Sequence, residues 1–176
     1  KEFLQYYNSS LDFNSKEYFK LLNIAKKNKI FLVIGVIEKT LGTLFCTVLH
    51  ISNKGELLCK HRKVMPTAAE RLVWGFGDGS TLQTTKTSLG ILGSVICWEN
   101  YMPMMRMAMY NQGIQLYCAP TADDRDTWQS TVKHIALEGR CFVFSSCQHL
   151  TINDYPSNFK VSKTTKDDVI MNGGSC

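Results

Sequence analysis

The feature that most constrains the fold is a series of continuous apolar, β-rich runs separated by helical patterns or tight turns. Residues 30–38, IFLVIGVIE, are dense in β-branched side chains and lack apolar–polar alternation, which suits a strand buried on both faces. LGILGSVIC (89–97), IQLYCAP (114–120) and CFVFSSC (141–147) read as further strands. TLFCTVLHI (43–51) and ELLCKHRK (56–63) flank the turn residues SNKG and read as a hairpin. A helix begins after Asn14, with Asn14 as its cap, Glu17 completing a capping box, and Tyr18, Leu21, Leu22 and Ala25 on one face. Further helices are expected over 102–111, ended by Gly113, and over 124–139, stopped by Gly139. Residues 149–168 are polar and patternless and read as an exposed loop. No repeat or linker divides the chain, so residues 1–176 are expected to form one α/β domain around a largely buried sheet.

Composition narrows the function classes. A chain of 176 residues is long enough to bury a real core, and 44% apolar with 20% charged residues argues against disorder. The net charge of +5 comes from scattered lysines, as in KEYFKLLNIAKKNK. Without an arginine block or a basic-aromatic stripe, no nucleic-acid partner is expected. No stretch is apolar enough to cross a bilayer and no signal peptide opens the chain, so no membrane partner is expected either. The seven cysteines form no CxxC pair, and Cys46, Cys59, Cys118 and Cys141 sit in apolar runs. That usage fits a reducing, cytoplasmic compartment better than a disulfide framework. The chain opens without methionine at KEFLQYY and closes at NGGSC, and both ends read as cut.

Cys97 stands apart from the other cysteines. It ends an apolar run and is followed at once by Trp98, Glu99 and Asn100, with Pro103 where a first helical turn accepts proline. Two readings fit: a strand edge that carries a thiol, or a nucleophile held at a strand-to-helix bend, where a thiolate is favoured. Lys63 closes a strand shortly before Pro66; it is either a solvated member of KHRK or a cation at the same sheet edge as Cys97. Glu70 follows in an Ala-rich segment with room for one helical turn. GFGDGS (75–80) lacks the frame and the Lys-Ser/Thr of a phosphate loop and reads as a glycine loop near a pocket. The four histidines have no zinc-site spacing, while His61 and His134 stay open as bases to a cysteine.

HRKVMPTAAERLVWGFGDGST, ICWENYMP and APTADDRDTWQ with HIALEG resemble the nitrilases of the carbon–nitrogen hydrolase superfamily. The match runs over about residues 1–148, the closing NGGS fits that family's next strand, and CWEN followed by Met-Pro points to the nitrilase branch. The resemblance implies an α-β-β-α sandwich, truncated at both ends, with Cys97 as nucleophile and Lys63 as catalytic lysine. It makes Glu70 the additional glutamate that positions groups around the thiol, and sets Trp98 and Trp128 beside an apolar acyl site. The family's first catalytic glutamate lies N-terminal to this stretch; Glu38, in a different strand motif, does not replace it. The implied substrate is a small-molecule nitrile, converted to a carboxylic acid and ammonia without metal or organic cofactor. An amidase of the same superfamily, or an inactive truncated homologue kept as an assembly partner, are the alternatives. Homo-oligomers, as dimers or spirals, are implied as well.

Overall fold

The structure is a computed structural model that describes residues 1–156 and 168–176. The chain opens with α1 (Glu2–Ser9) and α2 (Lys16–Asn28), then forms β1 (Leu32–Thr40), β2 (Thr43–Ile51) and β3 (Leu57–Arg62). These three strands make an antiparallel sheet in the order β1-β2-β3. Leu41 and Gly42 join β1 to β2, both with positive φ, the conformation that matches a two-residue hairpin turn to strand twist. Leu32, Ile34, Val36, Leu49, Ile51 and Leu57 point to one face and pack on Tyr18 and Ala25 of α2. The period of two sends the intervening residues of β2 to the opposite face.

The second sheet holds β4 (Thr85–Thr87), β5 (Gly90–Ser94), β6 (Leu116–Cys118) and β7 (Phe142–Phe144). β4 runs antiparallel to β5, while β5, β6 and β7 are parallel. α3 (Pro103–Asn111) and α4 (Asp126–Gly139) supply the crossovers. Val95, Tyr117 and Ala119 pack with Met109 of α3 and with Trp128, Val132 and Ile135 of α4. The inner faces of the two sheets meet where His50 Nε2 lies 2.6 Å from Ser94 Oγ. The layers are therefore α2, the three-stranded sheet, the four-stranded sheet, then α3 and α4, an α-β-β-α sandwich.

The structure corrects several local expectations. Of β1, only Glu38 is fully buried, because β1 is the outer strand of its sheet rather than one covered on both faces. Ser15, not Asn14, caps α2, its hydroxyl accepting the N–H of Tyr18 at 3.3 Å. α1 is a further helix, outside the elements expected from the sequence. The stretch read as a loop over 149–168 contains β8 (His149–Thr151), which pairs antiparallel with β9 (Val169–Asn172). Residues 157–167 of that stretch lie outside the described residues.

Candidate active site

Lys63 follows β3 directly, and its N–H donates to the Cys46 carbonyl at 2.8 Å, extending the pairing with β2 by one residue. The glycine loop presses on this strand end. Gly77 donates its N–H to the Lys63 carbonyl at 2.9 Å, and a Cβ at Gly77 would sit 2.5 Å from the Arg62 carbonyl oxygen. Only glycine fits that approach. The Lys63 side chain is 1% exposed, and its ammonium donates to Glu70 Oε2 at 2.6 Å and to Thr67 Oγ1 at 3.1 Å. Glu70 lies on the 3₁₀ turn Ala68–Leu72, where its carboxylate also accepts the Thr67 N–H at 2.5 Å. The expected helical turn is thus present, and it aims a carboxylate at the buried lysine.

Cys97 opens a second 3₁₀ turn, Cys97–Tyr101, between the end of the β5 run and α3, which has Pro103 in its first turn. Its φ is 51°, a left-handed conformation that a non-glycine residue holds only at a cost of about 1–3 kcal/mol. The surroundings enforce it. Cys97 N–H donates to the Pro120 carbonyl at 2.8 Å, and Asn100 Nδ2 donates to the carbonyls of Val95 and Cys97 at 2.9 and 2.7 Å. Tyr117 OH donates to Asn100 Oδ1 at 2.8 Å, and the Thr121 hydroxyl donates to Cys97 Sγ at 3.1 Å. Glu99 and Asn100, the abrupt polar switch in the sequence, are both fully buried and brace the bend from inside. The thiol therefore stands at a strained strand-to-helix elbow.

Cys97, Lys63 and Glu70 line one cavity of about 560 Å³ together with Cys46, Cys147 and Trp74. Burial pushes the Cys46 thiol up to about 12 and raises that of Cys147, so neither is a thiolate at neutral pH. The two tryptophans expected at the acyl site are elsewhere. Trp128 is fully buried in the core under α4, with its Nε1 donating to Ser145 Oγ at 2.9 Å. Trp98 is half exposed and borders a separate groove with Met65 and Tyr101; its Nε1 donates to Asp123 Oδ2 at 2.9 Å. Trp74, which no motif marks as a site residue, is the tryptophan of the cavity. Its position in VWGFG, against the glycine loop, was the available signal.

The histidines open as bases do not reach the thiol's cavity lining. His61 is buried with its Nε2 3.0 Å from Glu99 Oε2, and His134 is on the outer face of α4, 3.4 Å from Glu138. Glu38 is held within the first sheet by Arg62, Lys60 and Thr47. Among the described residues no group of three His, Cys, Asp or Glu is assembled to hold a metal ion, and no helix is long and apolar enough to cross a membrane.

The carbon–nitrogen hydrolase family profile matches residues 1–176. The chain is 54% identical over 176 residues to an aliphatic nitrilase of Sinorhizobium fredii, covering 99% of this chain and 57% of that protein. It is 51% identical over 180 residues to a bifunctional nitrilase/nitrile hydratase of Nicotiana tabacum, covering 99% of this chain and 52% of that one. It thus spans about half the length of the curated relatives it matches. A carbon–nitrogen hydrolase structure from Helicobacter pylori shares the fold with a TM-score of 0.74 and 20% identity, over 93% of this chain and 61% of that one. On the profile, the identities and the sandwich together, the chain belongs to the nitrilase branch of the carbon–nitrogen hydrolase family.

Proposed function

We propose that residues 1–176 are part of a single carbon–nitrogen hydrolase domain that converts a small-molecule nitrile to a carboxylic acid and ammonia, with Cys97 as nucleophile. The observation that carries the reading is that the strained Cys97 elbow and the buried Lys63–Glu70 pair line the same cavity. Cys97 Sγ adds to the nitrile carbon, a C–N π bond breaks and the nitrogen takes a proton, giving a thioimidate. An ammonium has three N–H donors. Lys63 commits two to Glu70 and Thr67 and offers the third to the nitrogen as its charge develops. Water adds to the thioimidate carbon, the C–N bond breaks and ammonia leaves, so a thioester remains. A second water cleaves the C–S bond, releasing the acid and restoring the thiol. In total one nitrile and two waters give one acid and one ammonia. Glu70 holds the lysine and passes protons within the pair.

The tetrahedral intermediate has a second exit: breaking C–S instead of C–N releases an amide. The tobacco relative's name couples both activities, and this reading extends to the present protein as its minor product. The seven cysteines, none in a disulfide, support a reducing, cytoplasmic setting. Met104, Met107 and Leu137, exposed on α3 and α4, support assembly into a homo-oligomer through that helical layer. The deciding experiment supplies a nitrile and its matching amide, analyses the products, and looks for an acyl adduct on the Cys97 peptide by mass spectrometry. Acid and ammonia with an adduct at Cys97 are expected; turnover that persists in Cys97→Ala overturns the reading.

A further inference from the structure

Glu99 is fully buried, and the chemistry above makes no use of it. Its carboxylate accepts hydrogen bonds from both sides of the sandwich. Oε1 accepts the N–H of Val64 at 2.6 Å, one residue beyond Lys63. Oε2 accepts the N–H of Ile96 at 2.8 Å, one residue before Cys97. His61 Nε2 stands 3.0 Å from Oε2 and 3.3 Å from Oε1, and His61 Nδ1 is 3.4 Å from Thr81 Oγ1, which accepts the Arg62 N–H at 3.0 Å. The carboxylate thus gathers the main chain just beyond Lys63, the His61 ring just before it and the main chain on the approach to Cys97.

We propose that Glu99 is a positioning residue that clamps the Lys63 strand end to the Cys97 elbow and so fixes the ammonium relative to the thiol. This rests on the reading of Cys97 and Lys63 as the reacting pair. The two come from different sheets. The main-chain N–H of Lys63 is bonded to Cys46 in the first sheet and that of Cys97 to Pro120 beside the second. Register within each sheet therefore leaves the distance between them open, and a side chain must close it. A carboxylate suits the task because two backbone N–H groups approach two separate oxygens, and charge-assisted hydrogen bonds in a dry site are about twice as strong as neutral ones. An amide of the same shape has one acceptor oxygen, so its NH₂ would face one of the two N–H groups. One half of the clamp then opens while the packing stays filled.

The test uses the protein expressed from its natural reading frame, as wild type, Glu99→Gln and Glu99→Asp. Thermal unfolding reports the fold, iodoacetamide labelling of the Cys97 peptide reports the thiol, and ammonia release from butyronitrile gives kcat and KM. In folded Glu99→Gln the labelling rate and kcat are both expected to fall roughly tenfold to a hundredfold, with KM within about twofold, as for loss of alignment rather than of binding. Glu99→Asp keeps the charge but, one methylene shorter, reaches only one side, and should show the same pattern. Should Glu99→Gln not fold, Glu99→Asp decides by the same criteria. A lower melting temperature with wild-type labelling and kcat in either folded variant overturns the proposal, since a merely structural carboxylate gives that result. If wild type releases no ammonia from any nitrile, the proposed function fails, and the labelling rates alone still decide the role of Glu99.

Discussion

The proposed nucleophile is held in a backbone conformation that only glycine adopts without cost, and that sets stability against chemistry at one residue. Cys97→Gly should raise stability above Cys97→Ala by about 1 kcal/mol in denaturant unfolding, because glycine relieves the φ of 51°. Both variants should lose turnover entirely. Equal stability of the two would show that the elbow stores no strain. Lys63 makes a sharper demand, being a buried ammonium with donors already shared by Glu70 and Thr67. Lys63→Arg keeps the charge, but a planar, longer fork cannot occupy the place of a compact ammonium. Its kcat should fall about a hundredfold or more, nearly as far as that of Lys63→Ala. A surface cation would tolerate both changes. Silent kinetics in either variant would remove the lysine from the mechanism.

At the level of elements, the glycine loop and the aromatic side chains divide support from specificity. Gly77→Ala places a methyl 2.5 Å from the Arg62 carbonyl, beside the lysine-bearing strand end. A shift of the loop is forced, with an expected loss of about 1–3 kcal/mol and a reduced kcat. Trp128→Phe removes the N–H donated to Ser145 in the core under α4 and should cost about 1–3 kcal/mol while leaving KM for a nitrile unchanged. Trp74→Ala, at the cavity wall, should do the reverse and raise KM with little effect on melting. Measuring KM and melting temperature for the two tryptophan variants side by side checks both statements. A KM change in Trp128→Phe would return that residue to the substrate site.

For the whole molecule, the seam between the sheets makes stability depend on pH. Burial, with His61 as a second cause, lowers His50 from 6.5 to about 4, while an unfolded chain restores the ordinary value. Above pH 6.5 the ring is neutral in both states and its contribution is fully present. As pH falls from 6.5 toward 4 the unfolded chain takes up the proton first, and roughly 3 kcal/mol of stability is lost. Asp123 and Glu138, each held near 2 by an arginine, Arg125 and Arg106 respectively, add their own losses as pH falls through the ordinary carboxylate range toward about 2. Unfolding free energy measured against pH should therefore drop between pH 6.5 and 4, and His50→Gln should flatten that limb. An unchanged slope in His50→Gln would assign the loss to other groups.

The sequence by itself determined the alternation of strands and helices, the β2–β3 hairpin and the bend at Cys97, because each rests on residues close together in the chain. Apolar period, turn residues and a proline at the first position of α3 act over a few residues. It also carried the family motifs that singled out Lys63, Glu70 and Cys97. It misplaced what depends on neighbours: β1 is an outer strand, Trp128 belongs to the core, and Trp98 borders a separate groove, while Trp74, to which no local pattern assigns a place, faces the cavity. Burial of an aromatic ring is decided by which layer closes over it, and periodicity cannot choose among layers. Glu99 shows the same division most clearly. In the sequence it is one polar residue after a cysteine; only the stacking of two sheets brings the N–H groups of Val64 and Ile96 to its two oxygens. The local code sets each element and its faces, but distances between sheets arise from packing and buried polar bonds, which exist only once the chain has closed on itself.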